Sequence, residues 1–222
     1  MFRVSLVCVV LGVGTADAQP NASTVLANVQ HVYAGADHLT AQFHQTVTAA
    51  AFGSTATSNG TLWVEKPAKF RFDYLQKTRG GTSPAKSFVF DGATLWIVDR
   101  PNLKIYKQTA KTSALPAAVS FLTNASALDS QFTVSIDSSG AHGGKNAVVL
   151  ALVPKQPSAQ YKQLFFVVDR SSWRVDESIV INSAGDSTDI AFTSPDTRTA
   201  APAKTFAIDP KDWPTYQLSV VP

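Results

Sequence analysis

The chain has 222 residues, of which 45% are hydrophobic and 16% charged, and its formal net charge is +3. Lys and Arg are scattered without a run of five or more, which gives no support for a nucleic-acid-binding surface. A chain of about this length buries roughly 70% of its unfolded surface, so one core can hold it without disulfides or metal ions.

Residues 1–18 have the pattern of a secretory signal peptide. Arg3 precedes an apolar run from Val4 to Val13, and Ala16-Asp17-Ala18 fits the small-x-small cleavage rule. This run is too short to span a bilayer, and no later stretch approaches the roughly 18 to 20 apolar residues needed. Cys8 lies inside the run, so the mature chain has no cysteine. An exported domain without disulfides favours the bacterial periplasm.

The first predicted element of the mature chain is an amphipathic helix over residues 22–36. Its apolar residues recur with helical spacing on one face, namely Val25, Leu26, Val29, Val32 and Tyr33. Asn21 or Ser23 can cap its start and Gly35 its end.

Most of the remaining chain alternates apolar and polar residues with period two, which predicts strands. Residues 39–47 would place Leu39, Ala41, Phe43 and Val47 on one inward face. Further strands are predicted at about 60–65, 69–75, 86–90, 94–98, 104–108, 132–136, 147–153, 163–168, 174–181, 188–193 and 205–208. A short helix is predicted at 114–122, and 194–204 is predicted to be an exposed loop.

The predicted fold class is therefore mainly β with an α lid (α+β). Residues 19–222 would form a single domain, because no break in composition divides them. We expect one curved antiparallel sheet that forms an incomplete, half-open β-barrel covered by short helices.

The sequence gives little support for catalysis. The four histidines lie in different predicted elements without an HExxH motif, and there is no GxSxG and no mature cysteine. The acidic residues lie mostly at strand ends or on polar faces, where turn and solvent roles are usual. We predict no enzyme activity, metal or cofactor. A hydrolase acting on a lipid or glycan stays an alternative, since two carboxylates can meet in space.

Aromatic residues concentrate between positions 63 and 96. Phe70, Phe72 and Tyr74 alternate along one strand, and Asp91-Gly92 marks a hairpin that follows shortly after. These rings either fill an ordinary barrel core or line a cavity for lipid. We favour the cavity, because one curved sheet with only two helices must either close on itself or leave an apolar hollow, and such a hollow suits a lipid. The predicted acyl-chain-binding residues of the strands are Phe43, Trp63, Phe70, Phe72, Tyr74, Phe88, Phe90 and Trp96.

The segment from Gly60 to Tyr74 and the Asp91-Gly92 hairpin resemble the LolA family of periplasmic outer-membrane lipoprotein carriers. Leu115 to Leu122 looks like the lid helix of that family, and Thr205 to Pro210 looks like its closing strand. The resemblance implies that Phe121 and Leu122 face the cavity from the lid.

The resemblance also singles out Lys66, which precedes Pro67 where the family usually has arginine. It implies that Lys66 helps latch the lid over the cavity. The lysine ammonium has three hydrogen-bond donors on a compact charge, whereas the arginine guanidinium has five donors in a planar arrangement. A latch made by lysine would therefore be looser or different. The alternative is a solvated lysine in a turn.

The function that the resemblance implies is a non-enzymatic shuttle in the periplasm. It would take acylated lipoproteins from an inner-membrane ATP-driven exporter, shelter their acyl chains, and deliver them to an outer-membrane acceptor protein or membrane. We expect a monomer that binds no nucleic acid. The alternative is a lipid- or lipoprotein-sensing or scaffold protein of the same fold, which binds but does not transport.

Overall fold

A computed structural model describes residues 20–109, 128–158 and 161–221 of the chain. In chain order the helices and strands are α1 (Ala22–Ala34), β1 (His38–Ala49), β2 (Ser54–Glu65), β3 (Lys69–Thr78), β4 (Gly81–Phe90), β5 (Thr94–Asp99), β6 (Lys104–Thr109), α2 (Leu128–Gln131), β7 (Phe132–Ile136), β8 (Ala147–Pro154), β9 (Gln163–Asp169), β10 (Val175–Ile181), β11 (Ser187–Asp196), a 3-10 helix (Pro210–Asp212) and β12 (Gln217–Val221).

All twelve strands belong to one sheet, in the spatial order β12-β6-β5-β4-β3-β2-β1-β11-β10-β9-β8-β7. Neighbouring strands are antiparallel except β12, which runs parallel to β6. Among the described residues, β12 and β7 at the two ends of this order do not pair with each other. The sheet is therefore open, which confirms the predicted single-sheet, half-open architecture.

Helix α1 begins and ends at the predicted capping residues. The Asn21 side chain accepts a hydrogen bond from the Ser23 backbone N–H at 2.8 Å, and the Gly35 N–H donates to the carbonyl of His31. None of the described helices combines the length and apolar character required to cross a bilayer.

The two faces of the sheet carry different apolar clusters. We call the face packed against α1 the inner face; its large core cluster includes Val25, Leu26, Val29 and Tyr33 of the helix. The opposite, outer face carries two smaller clusters. One is centred on Val89, Trp96, Val98 and Ile105, and the other on Val149, Val167 and Ile179.

Several strands differ from their predicted bounds. β4 begins at Gly81 instead of residue 86, because residues 76–83 continue the β3–β4 hairpin beyond an irregularity at Tyr74 and Leu75. β11 extends to Asp196, into the predicted loop.

The predicted strand at 205–208 is wrong: residues 205–206 belong to a turn, 207–208 have no regular secondary structure, and Ile208 packs on the outer face. The last strand is instead β12. The predicted signal peptide and the predicted helix at 114–122 lie outside the described residues.

Candidate functional site: an aromatic inner face

Six of the predicted aromatic residues lie together on the inner face of β1, β3 and β4. Their alternation along each strand and the register between strands place the rings in contact. Phe70 pairs with Phe90 and Phe72 with Phe88 across the β3–β4 ladder. The six residues are Phe43, Phe70, Phe72, Tyr74, Phe88 and Phe90.

The rings form a continuous chain of contacts. Phe43 meets Phe72 and Tyr74 edge to face, with centroids 5.6 and 5.2 Å apart. Phe70 lies 5.9 Å from Phe72 and 5.5 Å from Phe90. Such edge-to-face pairs are favourable beyond the area they bury. Phe70 and Phe72 are 1% and 2% exposed, so this part of the inner face is dry.

Gly60 on β2 makes room for the Phe43 ring. It pairs with Phe43 across the β1–β2 ladder, and a Cβ atom at Gly60 would collide with the ring and with the Asp73 carbonyl. Glycine is thus required here by the close approach of a side chain and a backbone.

Aliphatic residues continue the inner face on the other half of the sheet. β8 and β9 contribute fully buried side chains, and Ile190 of β11 connects them to the aromatic half. The β8 and β9 members of the cluster are Val148, Leu150, Leu152, Leu164, Phe166 and Val168. The two halves together make one apolar surface across the strands.

Two polar groups interrupt this surface. The Tyr74 hydroxyl donates to Gln45 Oε1 at 2.8 Å, and burial raises the pKa of Tyr74. Ser178 pairs with Phe166 and Ile190 and is fully buried, yet its Oγ has no hydrogen-bond partner among the described residues. A buried hydroxyl without a partner is unfavourable and uncommon.

Trp63 and Trp96 do not belong to the inner face. Trp63 pairs with Arg71, while its neighbours Leu62 and Val64 point into the inner cluster. Trp96 is buried in the outer-face cluster that the C-terminal segment covers. Their assignment to the same surface as the other aromatic residues is therefore corrected, because successive residues of a strand point to opposite faces.

Helix α1 packs on the inner face, most closely over β7 and β8, and Lys66 holds the C-terminal end of this helix. Lys66 Nζ donates to the carbonyl oxygens of Tyr33 at 2.6 Å and Ala34 at 2.9 Å. The last carbonyls of a helix lack partners within it, and a cation there also interacts favourably with the helix dipole. Lys66 is thus not a merely solvated turn residue. Phe121 and Leu122, and any contact of Lys66 with the predicted lid, lie outside the described residues.

Tyr33 anchors the same end of α1 from within. Its hydroxyl accepts a hydrogen bond from the Val175 N–H at 3.1 Å, and burial raises the pKa of Tyr33 to about 12. The helix end is therefore tied to β2–β3 through Lys66 and to β10 through Tyr33.

The outer face holds a buried polar network that sequence reasoning missed. Asp73 accepts hydrogen bonds from Arg71 and from Ser87, and Ser87 in turn accepts one from Arg100 at 2.9 Å. Burial lowers the pKa of Arg100, and the nearby charge of Asp73 opposes this. The alternation that places Phe72 and Tyr74 inside predicts Asp73 on the opposite face, but nothing local predicts its partners.

The C-terminal segment covers this network. Arg71 donates to the Thr205 carbonyl at 3.1 Å, and the Arg100 guanidinium lies 5.2 Å from the centre of the Trp213 ring. Ile208, Trp213 and Tyr216 pack on the outer cluster around Trp96. The segment thus encloses the outer face of β3–β6.

The described residues contain no group of three or more histidine, cysteine or acidic side chains arranged to hold a metal ion. Most side chains of the inner face are buried among one another, and of its six aromatic residues named above Tyr74 and Phe88 are half-buried. What such a surface can do is take up an apolar ligand by removing it from water.

Comparisons with known proteins agree with this geometry. The profile of a family described as "Outer membrane lipoprotein carrier protein LolA" matches residues 34–209. An outer-membrane lipoprotein carrier protein of Neisseria meningitidis serogroup C is 29% identical over 166 residues, which cover 74% of this chain and 72% of that protein. One of Chromobacterium violaceum is 27% identical over 196 residues, 87% of each chain.

Among solved structures, an uncharacterized conserved protein from Thermus thermophilus has a TM-score of 0.54 at 11% identity. The match covers 90% of this chain and 99% of that one, and at this identity the likeness concerns the fold alone. The family profile spans most of the chain, including β1 to β11 and the aromatic inner face. The chain therefore belongs to the LolA family of outer-membrane lipoprotein carrier proteins.

Proposed function

We propose that this protein is a periplasmic carrier that binds the acyl chains of lipoproteins on its inner face and moves them from the inner to the outer membrane. The single observation that carries the proposal is the continuous apolar inner face, which extends from the aromatic residues of β1, β3 and β4 to the aliphatic residues of β8 and β9. Membership in a family of lipoprotein carriers supports lipoproteins as the cargo.

The energetics of acyl transfer favour such a surface. Removing an acyl chain from a membrane costs about 0.8 kcal/mol per CH₂, so a chain of about 16 carbons needs on the order of 12 kcal/mol of compensating contact. Apolar burial supplies roughly 25 cal/mol per Å² of surface removed from water. A few hundred Å² of dry surface per chain is therefore required, and the inner face is built from side chains of this kind.

Cargo uptake requires that the inner face become accessible. Helix α1 buries Val25, Leu26, Val29 and Tyr33 against the inner cluster, most closely over β7 and β8. An acyl chain on this half of the inner face would therefore compete with the helix for the same contacts. Opening the helix costs these apolar contacts and the hydrogen bonds at its C-terminal end, and bound acyl chains would replace the apolar contacts. We propose that the Lys66 contacts set part of this cost.

Transfer between membranes also needs a donor and an acceptor. We propose an ATP-driven exporter of the inner membrane as the donor, and a protein or lipid surface of the outer membrane as the acceptor. The predicted signal peptide, residues 1–18, would deliver the chain to the periplasm.

The experiment that tests the proposal combines native mass spectrometry with a transfer assay. Protein purified from the periplasm should carry acylated species, and these should move to added outer-membrane vesicles. Acylated cargo that stays bound would support the alternative sensor or scaffold role. Purified protein that neither carries nor takes up acylated lipoprotein would contradict the proposal.

A further inference from the structure

One end of the sheet is formed by the connections that follow β1, β3, β5, β8 and β10. The strands that flank each connection are antiparallel, so these connections lie at the end opposite the one that holds Lys66. We call this the tip end. The described residues of these connections are 50–53, 79–80, 100–103, 155–158, 161–162 and 182–186.

The β1–β2 turn projects beyond the neighbouring β3–β4 turn. Gly60 pairs with Tyr74; from this pair β2 extends six residues to Ser54, whereas β3 extends four residues to Thr78. The difference of two residues corresponds to about 7 Å at 3.3 Å per residue.

The projecting turn carries a large apolar side chain in open solvent. Phe52 is 86% exposed, the highest value among the exposed large hydrophobic residues of the described chain. Its neighbours Ala50 and Ala51 are exposed as well, and no acidic or basic residue occurs between Gln45 and Val64. Placing this turn in a low-dielectric medium would therefore desolvate no charged side chain of the hairpin itself.

Basic residues predominate around this turn. In the described chain, six cations lie in or beside the tip-end connections, and none of them forms an ion pair there; they are Lys77, Arg79, Arg100, Lys104, Lys155 and Lys162. Apart from Asp99, which pairs with Lys86 at 3.2 Å, the acids at the same end are Asp129 and Asp186. Asp186 accepts a hydrogen bond from the Ala50 N–H at 2.9 Å, and hydrogen bonds lower its pKa. The net charge of the tip end is thus positive even with Asp186 ionised.

We propose that the tip end docks on the surface of an anionic phospholipid bilayer, with Phe52 inserted at the headgroup level. Insertion of an apolar side chain and attraction between basic residues and anionic lipids are the two contributions that bind a peripheral protein. The turn supplies the first contribution, and Lys77 and Arg79 of the adjacent hairpin supply the second. This inference concerns the chain without cargo and does not depend on acyl-chain binding.

The test is flotation of the cargo-free protein with vesicles of phosphatidylethanolamine containing one third phosphatidylglycerol, compared with vesicles of phosphatidylcholine. Binding should require the anionic lipid and weaken as salt is raised. Phe52→Ser should lower the partition coefficient about tenfold. Lys77→Gln and Arg79→Gln should each lower it about fivefold.

Matched control variants separate docking from general charge or hydrophobicity. Val220→Ser removes another exposed apolar side chain, 71% exposed, from β12. Lys145→Gln removes an exposed cation from the loop at the opposite end of the sheet. Neither should change binding by more than about twofold.

Three results would overturn the proposal. They are absence of binding to anionic vesicles, wild-type binding by Phe52→Ser, and equal losses for Lys77→Gln and Lys145→Gln. Because the assay contains no lipoprotein, its failure would leave the carrier function untouched, and failure of cargo binding would leave the docking surface untouched.

Discussion

Replacing Lys66 by methionine should loosen helix α1 without disturbing the sheet. The substitution keeps most of the apolar stem but removes the hydrogen bonds to the Tyr33 and Ala34 carbonyls. A hydrogen bond to a charged group contributes about 1.5 to 3 kcal/mol, and a cation at a helix C-terminus about 0.3 to 1 kcal/mol. Since the site is partly exposed, we expect a total loss of about 2 kcal/mol.

This loss should appear as easier opening of α1. At about 1.4 kcal/mol per factor of ten, 2 kcal/mol raises the population of the open state about 30-fold. Native-state hydrogen exchange reports such local opening residue by residue. The amides of Val29 to Tyr33 should therefore exchange about 30-fold faster, while the amides of β8 and β9 keep their protection.

Two further variants make the test specific. Lys69→Met removes a neighbouring cation whose partner is Glu65 at 2.7 Å rather than α1, so α1 exchange should change little. Lys66→Arg should restore protection, because its planar fork can reach both carbonyls. Unchanged exchange in Lys66→Met, or an equal effect of Lys69→Met, would refute the role of Lys66 as a holder of α1.

Three other substitutions test the packing of the two faces. Gly60→Ala should lower the free energy of unfolding by about 3 kcal/mol or more, because the new Cβ collides with Phe43, whereas Gly80→Ala meets no atom within 4 Å and should cost little. Denaturant unfolding of both proteins checks this, and equal stability would contradict the close packing. Ser178→Ala should raise the unfolding free energy by about 1 kcal/mol, since it removes a buried hydroxyl without a partner, and a destabilised variant would reveal a hydrogen bond. Burial, together with the nearby charge of Asp189, raises the pKa of Glu177 above its ordinary 4.5. The native protein therefore loses stability as the pH rises past 4.5 and Glu177 ionises. Glu177→Gln should therefore stabilise the protein at pH 7 and lose this advantage below about pH 4, and a pH-independent gain would contradict the assignment.

The sequence pattern predicted the strands well because most of them are half-buried. In β1, for example, Leu39, Ala41 and Phe43 are buried and alternate with polar neighbours, which is a pattern that period two detects. The α1 caps were also predictable, because Asn21 and Gly35 act through local hydrogen bonds. Local rules succeed where the determining contacts are close in sequence.

The face of each aromatic residue was harder to predict because the outer face is apolar as well. In β5, Leu95 points to the inner cluster and Trp96 to the outer one, and both faces are covered. The cover on the outer side comes from Ile208 and Trp213, more than 100 residues later, so alternation alone could not distinguish inside from outside. Trp63 pairs with Arg71 across the β2–β3 ladder, so these two side chains point to the same face. Phe72 follows Arg71 in β3 and therefore points to the opposite face from Trp63.

The C-terminal segment shows the same limit. Residues 205–208 alternate like a strand, yet they form none: the Thr205 carbonyl accepts a hydrogen bond from Arg71, and β12 pairs with β6 instead. The hydrogen bond from Arg71 to Thr205 joins residues 134 positions apart, and no local pattern encodes such a contact.

Photo-crosslinking from the two faces of the sheet tests directly whether acyl chains bind on the inner face. A photoreactive aromatic residue can replace Phe88, which is half-buried on the inner face, or Trp63, which is half-buried on the outer face. With a lipoprotein carrying labelled acyl chains, the account predicts crosslinks to the acyl chains from position 88 and none from position 63. Crosslinks from position 63 with none from position 88 would contradict acyl-chain binding on the inner face.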